Sequence, residues 1–181
     1  MEAVLARNAG VLPRYGLFAG FLAFAGLPIY ILAPKFFVDE YGVSLAAIGG
    51  VLLALRMLDF LQDPLLGRLV DRLGPAQSVA ATTAAAVLAL SMLALFAVTP
   101  MFDPLLWFFV VLAVLFTCFS FLTILFYAQG VGMAPRFGSG GHVRIAAWRE
   151  SGSLAGVCLA SVVPAVLTAA GVVSPMTGFA I

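Results

Sequence analysis

Charge is what this sequence has least of. Only 9 of its 181 residues are Lys or Arg and 8 are Asp or Glu, so 9% of the chain is charged. Soluble domains carry about a quarter, and a chain this poor in charge cannot clothe itself in a hydrated surface. An ordinary soluble domain is therefore excluded. With a net charge of +1 and no basic run, nothing points to nucleic acid as a partner. Cysteine is scarce too. Cys118 and Cys158 lie in apolar segments without CxxC or metal spacing and read as small buried hydrophobes. The one histidine, His142, sits beside Arg144 in a Gly/Ser-rich stretch, as a solvated loop residue would. No nucleophile–base arrangement, P-loop or metal motif occurs, so no catalytic residue, bound metal or organic cofactor is expected.

What the chain has in abundance is apolar length. Hydrophobic residues make up 64% of it, and the mean hydropathy is +1.15. Its 18 glycines and 10 prolines suit membrane helices, which tolerate both better than soluble ones. An all-α, polytopic membrane bundle follows, with the lipid bilayer as its first partner. Arg7 and Arg14 precede an apolar stretch too long for a signal core, with no small-residue cleavage site after it.

About 20 apolar residues cross the hydrocarbon, and charges divide the sequence into such lengths. After a tail over 1–14, spans are predicted at about 15–34, 44–66, 78–98, 104–128 and 145–170, with a sixth starting at about 175. Five spans are complete and the sixth has only begun at Ile181, so a fragment of a longer protein is expected, with a natural half-protein as the alternative. An inside N-terminus puts Arg7, Arg14, Arg68, Arg72, Arg136 and Arg144 in cytoplasmic segments and only Lys35 outside. That asymmetry obeys the positive-inside rule and predicts a plasma (inner) membrane protein with a cytoplasmic N-terminus.

The second span breaks the pattern. "LALRMLDFLQDP" holds Arg56, Asp59, Gln62 and Asp63 well inside it. At about 100° per residue, with Arg56 at zero, Asp59 falls near 300°, Gln62 near 240° and Asp63 near 340°. All four share one face. Three unpaired charges at mid-membrane would together cost roughly 10 kcal/mol. An Arg–Asp clip joining two helices is the plainer explanation, but two carboxylates and an amide supply more oxygens than a clip needs. Such clusters mark ion or proton paths. Carboxylate and amide oxygens suit a hard cation, and a desolvated carboxylate suits a proton. Asp59, Asp63 and Gln62 are thus the candidate cation ligands, with H+ and Na+ both open.

Immediately beyond comes "GRLVDRLG". GxxxDRxG between the second and third spans resembles the signature loop of the major facilitator superfamily. "RMLDFLQDPLLGRLVDRLG" is similar to the second helix of its glycoside–pentoside–hexuronide (melibiose-permease-like) cation symporters, with Arg56, Asp59, Asp63 and Pro64 matching and Gln62 at an amide or hydroxyl position. "FYAQGVGMAP", "HVRIAAWRESGSLAG" and "YGLFAGFLAFAGLPIY" resemble the fourth helix end, the arginine-bearing start of the fifth and the first helix. The resemblance covers nearly the whole chain, as the N-terminal half of such a fold. It departs from the sugar-transporting members at Ala23 and Thr123, which stand where those members carry sugar-binding aspartates. The missing fourth-helix carboxylate tilts the coupling ion toward a proton.

The resemblance implies a secondary active, cation-coupled symporter of a small solute such as a sugar or glycoside. In that reading Arg56 and Arg149 belong to the charge network or contact substrate, and Tyr127 and Thr123 line the cavity. Arg68, Asp71, Arg72 and Glu150 form a cytoplasmic gate. The missing C-terminal half would complete the transporter. The competing reading is a half-length accessory subunit packed against a partner membrane protein, without transport of its own. Two smaller features complete the pattern. GxxxG spacings at 16/20 and 152/156 suit close helix packing, and Phe102 and Trp107 read as interfacial anchors.

Overall fold

The computed structural model describes residues 10–169, with no side-chain description at 167 and 168. The tail over residues 1–9, the carboxyl end of the fifth span and the expected sixth span from about 175 lie outside the described residues. Every regular element among the described residues is helical. Helix α1 is Val11–Leu27, followed by a π-helical segment, Pro28–Leu32, and by α2, Ala33–Tyr41. Then come α3 (Leu45–Leu73), a 3-10 turn (Gly74–Ala76), α4 (Gln77–Phe96), α5 (Pro104–Met133), a second 3-10 turn (Ala134–Phe137) and α6 (Gly141–Ala169).

Among the described residues, three continuous helical stretches are long and apolar enough to cross a membrane: Val11–Tyr41, Leu45–Phe96 and Pro104–Phe137. The chain is a multi-pass membrane protein. The helices outrun the uncharged windows, because a charged side chain ends a membrane crossing without ending an α-helix. Thus α3 continues past the cluster to Leu73, and Arg14 lies in the first turns of α1.

Local chemistry sets the ends. Ser44 caps α3, its hydroxyl accepting from the Ala47 N–H at 3.2 Å, as N-cap serines do. The Asp103 carboxylate accepts from Leu106 N–H at 3.0 Å at the start of α5, with Pro104 at the first helical position, where its missing N–H costs nothing. Gly42 closes α2 in the left-handed conformation at φ 64°.

The GxxxDRxG pattern runs through the last turns of α3 into the turn after it, and its two glycines differ. Gly74 has φ 47° and ψ −117°, a conformation that side chains disfavour. Gly67 lies within α3, and a Cβ there would meet nothing within 4 Å. Gly74→Ala is therefore expected to destabilise by about 1–3 kcal/mol, whereas Gly67→Ala is neutral or stabilising. Paired thermal unfolding curves check this; equal losses in both variants would contradict it.

Two compact units divide the chain: the described parts of Met1–Leu27 with Phe126–Val163, and those of Pro28–Leu125 with Pro164–Ile181. Within the first unit, the two GxxxG pairs meet. A Cβ on Gly152 would collide with the Gly16 carbonyl, and one on Gly156 with the Gly20 carbonyl. Here α1 and α6 touch backbone to backbone, the close approach that small residues permit in membranes. Tyr15 completes this core. Its ring stacks on Phe126 at 4.1 Å and its hydroxyl donates to the Phe126 carbonyl at 3.3 Å.

Within the second unit, Val70, Phe121 and Leu125 form a core joined by Leu66, Leu73, Ala80 and Ala84. The end of α3 and the start of α4 thus share one core beside α5. Gln77 secures the fold-back, its Nε2 donating to the Val70 carbonyl at 3.0 Å. Farther along, Phe37 of α2 packs on Phe108 of α5 at 4.8 Å. Trp107, read from sequence as a lipid-interface anchor, is 9% exposed. Its indole N–H donates to the Ala94 carbonyl at 3.3 Å, so it ties α5 to α4 instead.

Candidate functional site

The site is built on the middle of α3, in the second unit. Asp59 is 7% exposed, unusual burial for a carboxylate. It has two partners on its own helix. Gln62 Nε2 donates to Asp59 Oδ1 at 3.0 Å, and Arg56 Nη1 lies 3.7 Å from Asp59 Oδ2. The sequence-level prediction that these residues share a face holds for this trio.

Arg56 is held from above by aromatic rings. Its guanidinium lies 4.9 Å from the centroid of Tyr30 and 5.9 Å from that of Phe116, and the two rings lie 5.0 Å apart. Tyr30 belongs to the π-helical segment between Pro28 and Leu32. Widening a helix by one residue per turn swings the following side chains round, and such segments recur at functional sites. The Arg56 side chain stays 59% exposed, so the rings add a cation–π attraction on one side of the guanidinium without enclosing it.

Among the described residues, Asp63 Oδ1 is buried with no hydrogen-bond partner, and so is Thr123 Oγ1 on α5. A buried carboxylate oxygen without a donor is costly. A bound cation or proton would satisfy it. Pro64 adds to the imbalance, because it has no N–H to give the Phe60 carbonyl one turn earlier. The middle of α3 thus gathers more acceptors than donors.

One contributor was missed from sequence. Thr117 of α5 lies 3.0 Å from Gln62 Oε1, its hydroxyl also 2.8 Å from the Ala113 carbonyl. A lone threonine in an apolar run gave no signal, because helical spacing orders residues on one helix and says nothing about which residue faces them from another.

The remaining candidates fall elsewhere. Arg68, Asp71 and Arg72 are exposed in the last turns of α3, and none forms an ion pair among the described residues. In the first unit, Arg149 lies 5.0 Å from the Tyr127 ring centroid. Its Nε and Nη2 both donate to Glu150 Oε1, at 2.9 and 2.6 Å. Arg149 and Tyr127 are thereby brought together, and the partner of Glu150 is Arg149. The first unit also holds an apolar groove of about 580 Å³ beside the glycine crossing, with Ser151 as its one hydroxyl. It offers no charged group to a solute.

Long apolar helices, one of them bearing a carboxylate-rich patch and an arginine beside two aromatic rings, fit a polytopic membrane protein. Residues 14–179 match the family described as MFS/sugar transport protein, and the chain belongs to that family. Membership sets it among transporters and not among enzymes. Over 57 residues it is 42% identical to "Uncharacterized symporter YnaJ" of Bacillus subtilis (strain 168). That alignment covers 32% of this chain and only 12% of the relative's length. No solved structure matches.

Proposed function

We propose that these residues form the N-terminal half of a cation-coupled symporter working by alternating access. Within the superfamily, the glycoside–pentoside–hexuronide branch fits best, and the solute is a small one such as a sugar or glycoside. In this reading five spans cross the plasma membrane from a cytoplasmic N-terminus. The first is α1 with the π segment and α2; the others are α3, α4, α5 and α6. A second half completes the solute site at the midplane.

The observation that carries the proposal is the buried Asp59 carboxylate, held by Gln62, one turn from an Asp63 oxygen with no partner. Asp59, Asp63 and Gln62 bind the coupling ion, H+ or Na+. Arg56 balances their charge from its aromatic seat. Arg149, beside Tyr127 in the first unit, is assigned to the solute or the charge network, as, separately, is Thr123 in the second. Arg68, Asp71 and Arg72, exposed and without an ion pair among the described residues, are available to a cytoplasmic gate, while Glu150 holds Arg149.

Solute uptake into proteoliposomes bearing the full-length protein tests this. A panel of sugars and glycosides is offered under an imposed proton gradient, an imposed sodium gradient, or neither. Accumulation above the external concentration is expected under one of the two gradients. Uptake that only equilibrates under all three conditions, for a solute that is carried, would contradict cation coupling.

A further inference from the structure

Thr117 has two acceptors and one proton. Its Oγ1 lies 3.0 Å from Gln62 Oε1 and 2.8 Å from the Ala113 carbonyl oxygen. A hydroxyl gives a good hydrogen bond to one acceptor at a time. The choice between them sets the orientation of the Gln62 amide.

With the proton on Gln62 Oε1, the amide nitrogen faces the carboxylate, donating to Asp59 Oδ1 at 3.0 Å. With the proton on Ala113, the hydroxyl instead presents lone pairs to Gln62. Only the amide N–H can satisfy those, so the amide turns over and its oxygen faces Asp59. An amide oxygen against a bare carboxylate is repulsive. With a cation between them it becomes a ligand. Each arrangement is complete by itself, one for the empty site and one for the loaded site.

We propose that Thr117 is a positioning residue that holds the Gln62 amide nitrogen on Asp59 while the site is empty and lets the amide oxygen turn onto a cation when one binds. The inference rests on reading the α3 cluster as a cation site. The charged and titratable groups around Asp59 are Arg56 and Asp63 on α3 and Tyr30 on the π segment. Helix α5 brings no charged side chain along Pro104–Met133. Thr117 is thus the route by which α5 answers occupancy of α3. In the loaded arrangement Thr117 makes two hydrogen bonds, accepting from Gln62 and donating to Ala113; in the empty one it donates to Gln62 alone. Removing its hydroxyl therefore weakens the loaded state more.

The test follows the unfolding temperature of the full-length protein in detergent. It is titrated with sodium at fixed pH, and separately with acid in sodium-free medium. The ion that stabilises the wild type is the one used for Thr117→Val, Thr117→Ala, Thr117→Ser and Asp59→Asn. Losing one net hydrogen bond should move the titration midpoint about five-fold toward weaker binding in the Val and Ala variants. The Ser variant, which keeps the hydroxyl, should stay within about two-fold of wild type. A purely structural role would lower the unfolding temperature equally at every cation concentration without moving the midpoint. That result overturns the proposal, as does a Ser variant that shifts like Val. Asp59→Asn separates the two levels. If it is unresponsive and the Thr117 variants are unshifted, only the role of Thr117 fails. If Asp59→Asn titrates like wild type, or the wild type answers neither ion, the cation site fails and Thr117's role falls with it.

Discussion

Gly152→Leu is expected to prevent the first unit from assembling. A single Cβ at this position already overlaps the Gly16 carbonyl, and the obstacle is backbone, with no flexible side chain to swing aside. The neighbouring contacts leave no slack either. A Cβ on Gly20 would lie 3.0 Å from the Gly152 carbonyl oxygen, and one on Gly16 would lie 3.0 Å from that of Trp148. Overpacking usually costs about 1–3 kcal/mol, and here the whole α1–α6 crossing must open to admit the leucine. In lipid no hydrophobic drive would restore the contact, because close packing is itself the attraction. The expected result is little or no monodisperse protein on size exclusion, against a normal yield for Gly49→Leu, whose added Cβ would meet nothing within 4 Å. Equal behaviour of the two variants would contradict the packing account.

The second large effect concerns Asp63. Among the described residues its Oδ1 is a buried acceptor with no donor. Asp63→Asn removes the charge and most of that burden. The variant is expected to unfold roughly 2–4 °C above wild type in cation-free medium, the equivalent of about 1 kcal/mol for a chain of this size. It should also lose the stabilisation that the coupling ion gives. Stability gained where function is lost is the usual mark of a residue kept for its chemistry. A variant less stable than wild type without cation, yet still stabilised by it, would mean that Asp63 is a structural acid.

These two predictions also divide what the sequence disclosed from what it withheld. The glycine spacings at 16/20 and 152/156 and the polar face at 56, 59 and 62 were legible, since helical periodicity fixes neighbours along one helix. Partners from other helices were not. Nothing in the period of α3 announces that Tyr30 and Phe116 will cover Arg56, because that depends on a π-helical segment elsewhere in the chain. Thr117 was hidden for the same reason. The match between Arg149 and Glu150 escaped notice for another: adjacent residues on a helix point apart, and only the length of the arginine side chain lets it fold back. Helix ends were not legible from charge, which marks where a crossing stops, for α3 carries on through Arg68, Asp71 and Arg72.

Membership of the major facilitator superfamily was legible in the GxxxDRxG run, and the match to the MFS/sugar transport family bears that level out. The solute was not legible. Ala23 and Thr123 occupy the positions where a sugar-binding carboxylate was sought, and the apolar groove of the first unit supplies no replacement.

The most direct test of the account compares wild type with Asp59→Asn in proteoliposomes holding the full-length transporter. Two quantities are read for a transported solute: accumulation under the imposed cation gradient, and exchange of internal for external solute without a gradient. The account predicts that Asp59→Asn keeps exchange but brings accumulation down to simple equilibration, because the path survives and the coupling ion has lost its seat. Accumulation by Asp59→Asn equal to wild type would contradict it.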